Sequence, residues 1–250
     1  MQKELFEYVL RMGDNALILG QRLGEWCGHG PVLEEDIALT NISLDLIGQA
    51  RSLLTYAGEI EGLGRDEDKL AFFRDAGDFR NILLLEEPNG DFGDTIARSF
   101  LYDHFAYLLY EALLQSNDTQ IAAIAAKSIK EVTYHRRHSS EWIIRLGDGT
   151  AESHDRIQES INRLWEFSGE MFKADAIDRA VASTGAGTDP SSLHASWKKN
   201  VAEVLMEATL EMPADGWMQK GGKQGVHSEH IGFLLAEMQH IPRTYPDAKW

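Results

Sequence analysis

The sequence has one cysteine in 250 residues, Cys27, so no disulfide can form within the chain, and a reducing compartment suits it. It has no uncharged apolar run approaching the roughly eighteen residues that a membrane span requires. The first twenty residues carry Lys3, Glu4, Glu7, Arg11 and Asp14, which excludes the apolar core of a secretory leader there. Basic residues are scarce. The 24 Lys and Arg stand against 40 Asp and Glu, and the net charge of −16 repels phosphate backbones and argues against nucleic acid as the main ligand. Alternation of apolar and polar residues is nearly absent, so strands are not expected. No repeat, low-complexity tract or long linker divides the chain. These absences lead us to expect a cytoplasmic protein of one domain spanning residues 1–250, without a membrane or nucleic-acid partner.

What is present is helical periodicity in long blocks. They fall at about 5–24, 34–60, 94–115, 118–146, 153–182, 190–211 and 227–240. The first carries Phe6, Val9, Leu10, Leu17 and Leu23 as an apolar stripe, and the fifth carries Ile157, Ile161, Leu164, Trp165 and Phe172. Acids in the first turn of the second block complement a helix dipole, and Asp189-Pro190 makes a cap and first helical position. "EGLGRDEDKLAFFRDAGDFRN" reads as a loop with a short helical piece, "EEPNGDFGD" as a turn on Asn89-Gly90, and "KGGKQG" as a flexible glycine loop. Six or seven long helices with short connections imply an all-α helical bundle, with a four-helix core and additional C-terminal helices.

Polar residues inside the stripes need a reason, because burial of an unpaired acid is costly. Asp14 lies between Leu10 and Leu17, Asp45 among Ala38, Asn41, Ile42, Gly48 and Gln49, and Asp103 between Phe100 and Ala106. In "KSIKEVTYHRRH" (127–138), Glu131 and His135 share a face with Ile124, Ser128, His138 and Trp142. One acid on each of four long helices is the plan of a ferritin-like di-iron bundle, in which two helices give a Glu and two give a Glu-x-x-His pair. The pairs fail here. The position three after Asp45 is Gly48, and three after Glu131 is Tyr134, with His135 one step late. Two cations would rest on Asp14, Asp45, Asp103, Glu131 and a single imidazole, His135. The competing reading is that these are buried acids paired with Arg, His, Tyr or backbone groups, so that no metal is held.

Other constellations are weaker. His227 and His230 in "HSEH" could ligate at i,i+3, but no partner cluster accompanies them, and helix capping by Ser228 or simple surface placement is the expected role. "GGKQG" lacks the pattern of a phosphate loop. Cys27, His29 and Asp36 flank a Gly/Pro turn with no oxyanion device, and no Gly-x-Ser-x-Gly elbow exists. The third block holds Phe100, Tyr102, Phe105, Tyr107 and Tyr110, more large side chains than one buried stripe uses. Its surplus side, with Tyr102 outward, is therefore expected to meet a partner.

Four stretches carry a family likeness: "LRMGDNALILGQRLGEWCGHGPVLEEDIALTNISLDLIGQAR" (10–51), "LLLEEPNGDFGDTIARSFLYD" (83–103), "AIAAKSIKEVTYH" (123–135) and "GGKQGVHSEHIGFLLAEMQHIPRTYPDAKW" (221–250). They resemble the structural, non-catalytic C subunits of bacterial phenylacetyl-CoA epoxidase (ring 1,2-monooxygenase) complexes. The resemblance runs from about residue 4 to Trp250. It implies a ferritin-like fold and partnership with a catalytic A subunit, which carries the di-iron centre and binds phenylacetyl-CoA, alongside the other subunits of the complex. A reductase subunit with flavin and iron–sulfur groups would deliver electrons from NADPH. It implies no catalytic residue and no cofactor on this chain. The alternative is a ferritin-like oxygenase or oxidase, metal-binding and active in its own right.

Overall fold

A computed structural model of the chain describes residues 2–248. Among the described residues the regular structure is entirely helical. The α-helices are α1 (Gln2–Gly24), α2 (Leu33–Glu61), α3 (Glu67–Phe72), α4 (Phe92–Leu113), α5 (Thr119–Gly147), α6 (Ala151–Trp165), α7 (Ala176–Ser183), α8 (His194–Glu207) and α9 (Glu229–Thr244). Short 3-10 turns intervene, among them Leu83–Glu86, Ser168–Phe172 and Pro190–Leu193. No described helix is long and apolar enough to cross a membrane. The chain packs as two compact units, Met1–Pro88 with Gly221–Trp250, and Asn89–Lys220.

In the first unit α1 and α2 form a long hairpin. Gly13 lies against Leu54 and Gly20 against Leu46, so the two helices run antiparallel. The Ser43 hydroxyl ties them by donating to the Gly20 carbonyl at 2.7 Å. Glu34, Glu35 and Asp36 occupy the first turn of α2, where the helix dipole favours negative charge. At its other end Gly62 adopts φ +71°, the left-handed cap that a side chain resists, and donates its N–H to the Gly58 carbonyl at 3.0 Å. The helix α9 starts at Ser228, whose hydroxyl accepts the His230 N–H at 3.2 Å. It returns to α3, where the Gln239 amide donates to the carbonyls of Ala71 (3.1 Å) and Arg74 (2.9 Å).

The second unit is built around α4. Asp91 and Asp94 close a capping box at its start, and nearly every side chain from Thr95 to Ala106 is buried. A helix buried all round is a core helix, and its own unit covers it with α5, α6 and α8. The Trp197 indole N–H from α8 donates to the Leu101 carbonyl at 2.9 Å. Phe105 then meets Phe172 edge-to-face at 5.4 Å, and Phe172 meets Trp197 at a tilt at 5.0 Å, between ring centroids. This corrects the expectation for the aromatic third block. Tyr102 is 6 % exposed and packs beside Phe105, so it joins Phe100, Phe105 and Tyr110 in the unit's own core, while Tyr107 is half-buried under the Arg136 guanidinium at 3.7 Å.

The fifth block is also not one helix. The chain breaks after Trp165 into the 3-10 turn Ser168–Phe172 and restarts as α7, where Asp175 accepts the N–H groups of Ile177 and Asp178. At the break Gly169 packs closely, since a Cβ there would sit 2.6 Å from Met218 Cγ, so the turn lies against the loop after α8. Likewise α8 ends at Glu207, short of residue 211, because Thr209 takes a left-handed φ of 59°.

Candidate functional site

The helix α1 carries Asp14 into the middle of the first unit, where its side chain is fully buried. Its carboxylate is already occupied. Arg74 grips it with two guanidinium nitrogens, one of them at 2.9 Å, and the Arg80 backbone N–H donates at 2.8 Å. Arg74 is locked in turn by the Asp78 carbonyl at 3.0 Å and lies 4.2 Å over the Phe79 ring. A carboxylate held bidentately by a buried guanidinium has spent its lone pairs and its charge on that partner. The sequence signal for this pair is weak, since Arg74 sits in a stretch that reads only as loop with a helical piece.

In the second unit Asp103 on α4 faces α5. One carboxylate oxygen accepts from the Ser139 hydroxyl at 2.9 Å. Burial pushes Asp103 up to about 6, against the opposing pull of His135, the Ser139 hydrogen bond and His138. His135 is 1 % exposed on the same inner side of α5. Glu131, one turn earlier, is half-buried with Lys127 Nζ 4.0 Å away. Thus Asp103 and His135 come together as the periodicity expects, and Ser139 is the member that sequence reading missed. Next to them His104 is pushed down to about 3 by burial and by Arg136, so its ring is neutral and accepts or donates with Ser140 at 3.0 Å.

Asp45 on α2 is half-buried. The positions that a di-iron motif would fill with histidine hold Gly48, with no ligand atom, and Tyr134, which is 39 % exposed and reaches solvent. Among the described residues no three His, Cys, Asp or Glu side chains group as a metal site. The donor set does not fit a pair of iron ions: Asp14 is neutralised by Arg74, and both histidine positions are lost.

The "HSEH" motif has a different use. The buried His227 sets Nδ1 2.8 Å from Glu86 Oε2 and Nε2 3.0 Å from the Phe79 carbonyl. With acceptors at both nitrogens the ring is suited to the doubly protonated form. Burial opposes that form, but the Glu86 hydrogen bond and charge, the Phe79 carbonyl and Asp14 outweigh it and hold His227 above the usual histidine range. Glu86 is completed by the Asn81 amide (3.1 Å) and the Ser228 N–H (2.6 Å). The Cys27 grouping is not a nucleophile with its base. His29 Nδ1 meets the Cys27 carbonyl at 3.2 Å, and Asp36 accepts the Gly30 N–H at 3.0 Å.

Long paired helices without strands among the described residues, with buried acids on α1 and α4 and the histidine pattern broken, define a protein of the all-α, ferritin-like class. The family model described as "Phenylacetic acid catabolic protein" matches residues 1–250, and the chain belongs to that family. It is 51 % identical over 247 residues to the C subunit of the 1,2-phenylacetyl-CoA epoxidase of Escherichia coli (strain K12), with 99 % of each chain covered.

Proposed function

We propose that this chain is the structural C subunit of a multicomponent phenylacetyl-CoA 1,2-epoxidase of phenylacetate catabolism, acting as one ferritin-like domain over residues 1–250 in the cytoplasm. Its partner is the catalytic A subunit, which holds the di-iron centre and forms the 1,2-epoxide, while a reductase subunit with flavin and iron–sulfur groups supplies electrons from NADPH. This chain contributes no catalytic residue and no cofactor. The full-length similarity to an epoxidase subunit supports the complex. The observation that carries the non-catalytic role is the sealing of Asp14 by Arg74 and the Arg80 N–H, which removes a carboxylate that the di-iron plan requires.

Reconstitution tests the reading. Turnover of phenylacetyl-CoA by the A subunit with its reductase should need this chain, yet survive Glu131→Gln or Asp45→Asn in it. Equal turnover and solubility of the A subunit without this chain would defeat the proposal. Loss of chemistry in either variant, with the complex intact, would favour the chain as an oxygenase in its own right.

A further inference from the structure

The helix α2 has a second apolar side that the described residues leave largely exposed. Leu33 is 72 % exposed, Ile37 53 %, Leu44 61 % and Ile47 37 %. Positions 33, 37, 40, 44 and 47 step by four, three, four and three residues, the 3.5-residue spacing that keeps a seam facing a neighbouring helix. Thr40, half-buried, is its one polar member. The seam spans about 21 Å at 1.5 Å per residue. Leu33, Ile37 and Leu44 stand clear of the core face formed by Leu39, Ile42, Leu46 and Leu53, while Ile47 sits at its edge against Gly20 of α1. Four large aliphatic side chains in one exposed line mark an interaction surface, and their heptad spacing calls for a helix as the occupant.

Charge selects which helix. Exposed Glu34 and half-buried Asp36 and Asp45 flank the seam. Arg51, the one cation on α2, stands at the next heptad step and already pairs with Glu67 at 3.2 Å. A second copy would bring another −16 chain and set acidic edge toward acidic edge. A helix whose apolar stripe is edged by Lys or Arg complements both features. We propose that the Leu33–Ile37–Leu44–Ile47 seam docks one such basic-edged amphipathic helix of the catalytic A subunit. This rests on the reading of the chain as a subunit of the epoxidase complex.

The test is affinity capture of the full-length chain by tagged A subunit, with circular dichroism melts of each variant. Leu44→Asp and Ile37→Asp should weaken binding at least 100-fold with unchanged melting, since both side chains are more than half exposed. Glu34→Lys should weaken it about tenfold at low salt and less at high salt. Met206→Asp, on an exposed residue of α8, should leave binding unchanged. If Leu44→Asp binds the A subunit as the unaltered chain does, the seam is not the interface, although membership of the complex stands. If the unaltered chain captures no A subunit, that membership fails and the seam proposal with it. If the chain self-associates and Leu44→Asp returns it to monomers, the occupant is a second copy and the proposal is overturned.

Discussion

Replacing Asp14 with alanine would leave the Arg74 guanidinium buried without its counter-ion. The side chains of the pair are 0 % and 4 % exposed, so water cannot compensate. Breaking a buried ion pair from one side costs about 3–5 kcal/mol. In a chain of this size each kcal/mol moves Tm by about 2–4 °C, which places the loss at about 6–20 °C. Arg74→Met should cost a similar amount, by leaving the carboxylate stranded. The double variant Asp14→Leu/Arg74→Met should melt above either single one, because an apolar pair carries no desolvation cost. It should still fall below the unaltered protein, since the Arg80 N–H that donated to Asp14 loses its acceptor. Thermal melts at pH 7 by circular dichroism would measure all four proteins. A single variant melting within about 2 °C of the parent, less than 1 kcal/mol on that scale, or a double variant whose loss equals the sum of the singles, would refute a coupled buried pair.

Two further predictions concern pH. The folded-state pKa of Asp103, about 6, lies above its ordinary 3.8, so its contribution is whole below about pH 4 and is lost as pH rises through 6. Asp103→Asn should therefore gain on the parent between pH 4 and 7, by an amount on the order of 3 kcal/mol for two pKa units; a difference that stays flat across that range would contradict the burial of its charge. His227 is shifted upward, so its contribution is present below the ordinary histidine value and fades as pH rises through the folded one. Denaturation of His227→Gln should show a larger penalty at pH 6 than at pH 9, and an equal penalty would mean that the Glu86 contact does not select the charged ring. Gly58→Ala would place a Cβ 2.1 Å from the Arg65 carbonyl oxygen, and overpacking of this kind costs typically about 1–3 kcal/mol; a melt unchanged by the substitution would show that the 62–65 turn yields freely.

The helices were legible where one face repeats without interruption. The blocks that became α1, α2, α4 and α5 end within two or three residues of the observed limits, because a cap stands at most of those ends, such as Gly62, Asp91 and Asp118. The fifth block failed because its apolar spacing continues through Phe167 and Phe172, while the break lies where Gly169 packs on Met218, forty-nine positions later, a contact the local pattern cannot register. The inward acids Asp14 and Asp103 followed from periodicity, but their partners did not. Arg74 lies in an irregular segment and Ser139 is a small polar residue on a face already assigned to core. Tyr102 was misplaced because counting rings on one helix cannot reveal that α8 and the 168–172 turn supply a second buried side. The exposed seam of α2 was equally hidden, since the sequence pattern places only the residues around Asp45 on a face and does not distinguish the exposed Leu33, Ile37 and Leu44 from the buried Leu39 and Leu46.

The claim that this chain supports a di-iron partner without holding iron itself is tested most directly by its own metal stoichiometry. The purified chain would be incubated with excess ferrous iron under anaerobic conditions, desalted, and its iron counted against protein by mass spectrometry of the metal. With Asp14 engaged by Arg74 and no imidazole at positions 48 and 134, iron should remain far below one per chain. Two irons per chain, with the spectroscopic signature of an oxo- or hydroxo-bridged pair, would contradict the account.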